Sequence, residues 1–269
     1  DPNRQGPSLA IVANGKAYIV DAGVGVVRQA AAADLRGISA LHADQLNIAF
    51  LTHLHSDHTL GLPDLIFTPW VMHRAVPLRL YGPTGTQAMV DNIEKAWAED
   101  IDIRVHGLEH NANGAYKALV YEIQPGVVYQ DANVKVTAFA VLHGSWKEAL
   151  GYRFDADGKS IVISGDTRPA QSVVDACNGC DILIHEVYSG ASGKPGAGGE
   201  PAPTDAYFRA FHISAEELGK IAAKARPKIL IITHYVPLGN TDQTKMLEGI
   251  RKKFSGPVVV ANDLDVIAP

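Results

Sequence analysis

The sequence predicts an α/β fold, and three observations carry that prediction. Short apolar runs of strand length alternate with helical stretches along most of the chain. Turn dipeptides such as Asn14-Gly15 and Asp157-Gly158 punctuate them. His53, His143, Asp166, Glu186 and His234 each stand at the C-terminal end of a predicted strand. Side chains so placed gather along one edge of a sheet, where α/β proteins put their sites.

Taken in order, 8–13 and 16–20 read as a β-hairpin around Asn14-Gly15, a pair suited to positive φ at both turn positions. Residues 21–25 form a glycine-rich turn that lacks the third glycine of a dinucleotide fingerprint. A helix over 26–46, broken near Gly37, leads to a strand at 47–51. Leu60-Gly61-Leu62 opens another helix, 78–81 is a short strand and 86–98 is helical. Residues 100–115 read as irregular. Alternation from Val134 to Leu142 gives a strand ending at His143-Gly144. Residues 151–154 and 160–164 form a second hairpin, and 181–186 is a strand with a polar end. The Gly-, Pro- and Ala-rich stretch 189–203 reads as a mobile loop. Ser214 and Glu217 fit a capping box, followed by a helical stripe that Pro227 stops. A buried strand over 228–233 ends in His234, 241–252 is helical, and 257–261 and 264–268 are final short strands.

The stretch Thr52-His53-Leu54-His55-Ser56-Asp57-His58 organises the rest. Residues two apart at a strand end point to the same side, so His53 and His55 can share one ion. The chain then turns, and Asp57 and His58 fall in the first helical turn, aimed at a second point nearby. The spacing suggests two neighbouring ions. Imidazole with carboxylate favours zinc, with iron or manganese as alternatives.

The chain has 269 residues, 46% of them hydrophobic and 20% charged, with a net charge of −5. That is enough chain for a full core, read here as one domain over 1–269. The acidic balance argues mildly against nucleic acid as the main partner. No apolar run reaches membrane-spanning length. Cys177 and Cys180, the only cysteines, read as free thiols or a local disulfide, since no second ligand pair for structural zinc is near. Residues 1–20 do not resemble a signal peptide. Because the first residue is Asp1, either a leader was removed or the N-terminus is trimmed. The expectation is a soluble protein, either cytoplasmic or exported after loss of a leader.

These motifs resemble the metallo-β-lactamase superfamily. The hallmark is Thr-His-Leu-His-Ser-Asp-His, and His143, Ser164-Gly-Asp-Thr167 and Ile232-Thr-His234 follow in the family's order. Ser164-Gly-Asp-Thr-Arg-Pro169, Ile184-His-Glu186 and Phe211-His-Ile-Ser214 are most similar to its tRNase Z and arylsulfatase-like branch. The resemblance implies an αββα sandwich of two mixed β-sheets flanked by helices. It also implies a site with two Zn2+. His53, His55 and His143 would hold one ion, Asp57, His58 and His234 the other, with Asp166 bridging and His212 as an extra catalytic histidine. Asp57 would also orient or accept a proton from the metal-bound water. Glu186 either orders a ligand histidine or pairs with an arginine.

The expected activity is that of a dinuclear zinc hydrolase using a metal-bound hydroxide on phosphodiester or aryl-sulfate esters. Alternatives are β-lactam or lactone hydrolysis and tRNA 3′-processing. An iron-dependent oxidoreductase or a non-catalytic scaffold ranks lower. Only a short insertion fits between Leu62 and His143, too short for the long tRNA-binding arm of tRNase Z enzymes. The expected partner is therefore a small or medium anionic ester or amide. Nucleic acid is doubtful, no membrane is expected and a homodimer is allowed. His185 reads as a core histidine, and His42, His73, His106 and His110 as surface residues. Arg153, Arg168 and Arg209 read as solvated. Tyr188, Tyr207, Phe211 and Tyr235 either wall a pocket or fill the core.

Overall fold

The computed structural model describes residues 4–111, 114–190, 205–238 and 242–269. Its contacts divide the chain into two compact units, Asp1–Gln124 with Asp263–Val266, and Pro125–Asn262 with Ile267–Pro269.

The first unit opens with strands β1 (Leu9–Ala13) and β2 (Lys16–Val20). They pair antiparallel, with Ala13 opposite Lys16. Asn14 and Gly15 between them have φ of 49° and 74°, as the tight turn requires. Helix α1 (Val26–Asp34) is shorter than the sequence suggests. Gly37 adopts a φ of 96°, and two 3-10 turns replace the rest of the expected helix. Strand β3 (Ile48–Phe50) leads to the one-turn helix α2 (Ser56–Thr59), then to α3 (Leu62–Val71). Strand β4 (Leu78–Gly82), helices α4 (Thr86–Ala96) and α5 (Ala98–His106), and strand β5 (Ala118–Glu122) complete the unit. The five-stranded sheet runs β1-β2-β3-β4-β5, parallel from β2 onward. Ala49, Leu51, Leu78 and Leu80 from the sheet pack with Leu62, Leu65, Ile66 and Trp70 of α3.

The second unit holds strands β6 (Gly126–Gln130), β7 (Lys135–Ala140), β8 (Leu150–Ala156) and β9 (Lys159–Ile163), then helix α6 (Gln171–Cys177) and strand β10 (Ile182–Ser189). Helices α7 (Asp205–Phe211) and α8 (Ala215–Ala225), strand β11 (Ile229–Pro237), helix α9 (Gln243–Arg251) and strand β12 (Val258–Val260) follow. The sheet order is β12-β11-β10-β9-β8-β7-β6. Strands β9 to β12 are parallel, and β7 and β8 alternate antiparallel into β9. Strands β7, β9, β10 and β11 therefore run the same way, and their carboxyl ends share one sheet edge. Val173, Cys177, Leu218, Ala222, Met246 and Ile250 pack with Val162, Leu183 and Leu230 of the sheet.

Several expectations change. Helix α5 occupies part of the stretch read as irregular; it has no fully buried residue, and Ile101 and Val105, one turn apart, rest partly buried on the core. Residues 264–268 form no strand. Instead, Asp263 accepts hydrogen bonds from Gln5 N and Gln29 Nε2 at 2.9 and 3.2 Å. Cys177 and Cys180 are joined as a disulfide. The loop read over 189–203 lies, from residue 191 on, outside the described residues. No helix among the described residues is long and apolar enough to cross a membrane.

Candidate active site

In the first unit the site grows from the ends of β2 and β3. Asp21 follows β2 directly and sits at φ 63°, a left-handed conformation that aspartate tolerates better than most residues. Its Oδ1 accepts the Thr52 N–H at 2.8 Å. Its Oδ2 accepts the Thr52 hydroxyl at 2.9 Å and His58 Nδ1–H at 2.8 Å. Two backbone bonds hold α2 against this turn, Ala22 N to His58 O and Gly61 N to Ala22 O, each 2.8 Å. The carboxylate fixes the tautomer of His58 and leaves Nε2 for a ligand. With its proton committed to Asp21, the Thr52 hydroxyl accepts from His53 Nδ1 at 2.9 Å, which directs His53 Nε2 outward as well.

His53 Nε2 and His55 Nδ1 face each other at 3.0 Å. Two ring nitrogens so close share either a proton or a cation, and nitrogens bound to one tetrahedral zinc stand about 3.3 Å apart. Asp57 Oδ2 lies 3.6 Å from His58 Nε2. His53 thus stands beside His55, and Asp57, the half-exposed member, stands beside His58.

In the second unit His143, at the end of β7, is 1% exposed. Its Nδ1–H donates to the Phe211 carbonyl at 2.7 Å, which makes Nε2 the lone-pair nitrogen of the ring. Asp166 follows β9 and is 3% exposed. His234 Nε2 and His212 Nδ1 approach Asp166 Oδ2 to 3.6 and 3.8 Å. His234 owes its aim to a bulge. The β10–β11 register slips between His185 and Val187, and His234 takes a φ of 45° where the extra residue of β11 falls. Ligand atoms of His143, Asp166 and His212 all lie within 4.8 Å of one another, and all three residues are buried. Buried imidazole and carboxylate converging in this way suit a divalent ion, so the donor set in each unit fits a metal.

Glu186 is 2% exposed. Its Oε1 accepts the N–H groups of Thr167 and Ile213, each at 3.2 Å. Its Oε2 stands 3.3 Å from His212 Nδ1, at ion-pair distance but off line for a hydrogen bond. Burial raises the Glu186 carboxyl above its ordinary value, with the Asp166 charge adding to the effect. Burial pushes His212 down, yet Glu186 and Asp166 outweigh it and leave the imidazole raised. Both shifts favour the protonated form of their group. Glu186 partners His212 rather than an arginine, and Ser214 caps α8 by accepting the Glu217 N–H at 3.4 Å.

His185 is buried, donates Nδ1–H to the Glu186 carbonyl at 2.8 Å, and is lowered to about 4 by burial. It is a neutral core residue, as expected. His42, His73, His106 and His110 are exposed. Arg153 is committed to Asp155 at 2.7 Å and to the Ala176 carbonyl, while Arg168 and Arg209 are exposed. Asp21 is the functional residue that sequence reasoning missed. Its signal was its place at the end of a predicted strand, the same place the ligands occupy.

A family model described as "Beta-lactamase superfamily domain" matches residues 16–235. Ribonuclease Z of Mycobacterium marinum is 34% identical over 271 residues, covering 98% of this chain and 92% of that protein. Ribonuclease Z of Mycobacterium bovis is 34% identical over 272 residues, with the same coverage. Among solved structures, the metallo-beta-lactamase fold protein YhfI from Bacillus subtilis superposes with a TM-score of 0.71 at 18% identity, covering 97% of this chain and 90% of its own. Human tRNase Z, short form, gives 0.67 at 23% identity, covering 100% and 94%. The fold, two mixed sheets flanked by helices, is the αββα class that the motifs implied.

These relatives overturn one expectation. A small or medium anionic ester or amide with nucleic acid doubtful does not match proteins named for action on RNA. The net charge of −5 averages over the whole surface and does not describe a local path for a phosphate backbone. A short 62–143 segment likewise removes one kind of arm, not the substrate. The chain is a metal-dependent hydrolase. With its motif residues so arranged and its relatives so named, it belongs to the metallo-β-lactamase superfamily, in the ribonuclease Z branch.

Proposed function

We propose that this chain is a zinc-dependent endoribonuclease that hydrolyses a phosphodiester bond during tRNA 3′-processing. The observation that carries the reading is its 34% identity to ribonuclease Z across 98% of the chain. By the motif order of the family, His53, His55 and His143 would hold one zinc ion and Asp57, His58 and His234 the other, with Asp166 as a further ligand. When bound, the ions supply a nucleophile from water at neutral pH and polarise the phosphoryl oxygen.

The chain's own residues do the rest. Asp21 and Thr52 fix the tautomers of His58 and His53, and the Phe211 carbonyl fixes that of His143. Asp57, half-exposed beside His58, accepts a proton while keeping its place. Hydrolysis of a phosphodiester expels a ribose alkoxide, which must gain a proton. His212, beside Glu186 Oε2 and Asp166 Oδ2, is the donor, and Glu186 ties down its turn by accepting the Ile213 N–H. The exposed cations Arg168 and Arg209 suit a polyanionic substrate.

The test uses zinc-loaded protein, a precursor tRNA with a 3′ trailer, and bis(p-nitrophenyl) phosphate as a second substrate. The wild type is expected to release the trailer, and Asp57→Ala to lose at least about a thousandfold in rate. Turnover of bis(p-nitrophenyl) phosphate with the RNA left intact would overturn the RNA reading.

A further inference from the structure

Helix α7 carries an aromatic cluster that the ligands and the proton donor do not account for. Phe208 and Tyr188 are 7% and 9% exposed and pack as core, with ring centres 5.4 Å apart. Tyr207 differs. It is 40% exposed, yet its ring is held flat against Phe211, with centroids 4.5 Å apart and planes 21° apart. Phe208 meets it edge-on at 5.3 Å. Its centroid lies 6.2 Å from that of His212.

Phe211, underneath, is itself fixed. Its ring stands edge-on to His143 at 5.1 Å, and its carbonyl takes the His143 Nδ1–H. Gly144, at φ 53°, leaves room for it, since a Cβ there would lie 2.1 Å from the Phe211 ring. Gly144 N also donates to the Ala210 carbonyl at 2.9 Å. The end of α7 is thus locked to the turn that carries His143. The stack is packed on one side, faces solvent in part, and adjoins His212. A tyrosine already ordered by stacking gives up little side-chain freedom when a flat group lands on it.

We infer that Tyr207, backed by Phe211, is a stacking platform for a nucleobase next to the scissile phosphate. This rests on the RNA reading above, and it makes Tyr207 a substrate-binding residue that positions the nucleotide. Every base has a π-face, so such a platform holds a nucleotide in place without reading its identity. With the base on Tyr207, the leaving ribose oxygen is held within the reach of His212.

The experiment compares zinc-loaded wild type, Tyr207→Ala, Tyr207→Phe and Tyr207→Trp on a precursor tRNA. Two further RNAs carry an abasic ribose on one side or the other of the cleavage site. Metal content is measured for each variant. Tyr207→Ala is expected to lower kcat/KM on the intact RNA by about 10- to 100-fold, whereas Phe and Trp keep most of it. One abasic RNA should bring the wild type down to the Ala variant and leave the Ala variant itself unchanged. Equal rates for Ala and wild type on intact RNA would overturn the inference while the RNA reading stands. So would a loss that persists in full on both abasic RNAs. A wild type that cleaves no RNA would bring down the RNA reading and this inference together.

Discussion

Asp21 illustrates how one side chain sets the chemistry of others. Its carboxylate takes a backbone N–H, a hydroxyl and an imidazole N–H, all with buried partners. Asp21→Asn keeps the shape and removes the charge that holds His58 in one tautomer. The expected result is a 10- to 100-fold loss of metal affinity, on the order typical for removing such a partner, with folding retained. Asp21→Ala should in addition destabilise by about 1–3 kcal/mol, because the Thr52 N–H is left buried without an acceptor. A competitive chelator titration reads the first effect and urea unfolding the second. An Asn variant that binds zinc as tightly as wild type would show that the tautomer is set elsewhere. The residues of 52–58 were legible because four donors fall within six positions of the chain. Asp21 was not, because its partners stand 31 and 37 residues away. No local pattern records a bond of that span.

The element scale is clearest in α3, whose interior contains Pro69. Proline has no N–H, so the Leu65 carbonyl one turn back loses its helical donor. Arg74, 1% exposed, supplies one. Its Nη1 donates to Leu65 O at 3.0 Å and Leu46 O at 3.3 Å. Nη2 donates to Ile66 O at 2.7 Å and Ala115 O at 3.2 Å, and Nε to Val76 O at 3.0 Å. The five N–H groups of a guanidinium thus meet five carbonyls, which ties α3 to the strand and loop segments around it. Burial lowers the group to about 10, still charged at neutral pH. Arg74→Met should cost about 3–5 kcal/mol, and Arg74→Lys, with three donors, should recover only part. Urea unfolding measures both, and a loss under about 1 kcal/mol for Met would mean that water satisfies the carbonyls. The helix itself was readable from Leu60-Gly61-Leu62, but its staple was not, since an arginine in sequence reads as surface. Strands β5 and β6 escaped notice for a related reason. Each lies at the edge of its sheet and is largely exposed, so neither shows the apolar alternation that marks a half-buried strand.

At the scale of the whole molecule, the family covers nearly all of the chain, and the proposed ligands are drawn from segments between His53 and His234. An unfolded chain has no such donor set ready, so metal binding is linked to folding. The net charge of −5 misdirected the choice of substrate because it is a sum over the molecule, whereas recognition and ligation are local. Stability responds to the ions by mass action. An ion at about 1,000 times its dissociation constant adds about 4 kcal/mol to the folded state. For a chain of this size each kcal/mol moves the midpoint by about 2–4 °C. Removing bound zinc with a chelator should therefore lower Tm by about 10 °C or more, and restoring zinc should return it. The chelator should have no such effect on Asp57→Ala if that variant has already lost its metal, which elemental analysis checks. A midpoint unmoved in metal-free wild type would mean that these histidines and aspartates are arranged by packing alone, and that the ions add nothing to the fold they occupy.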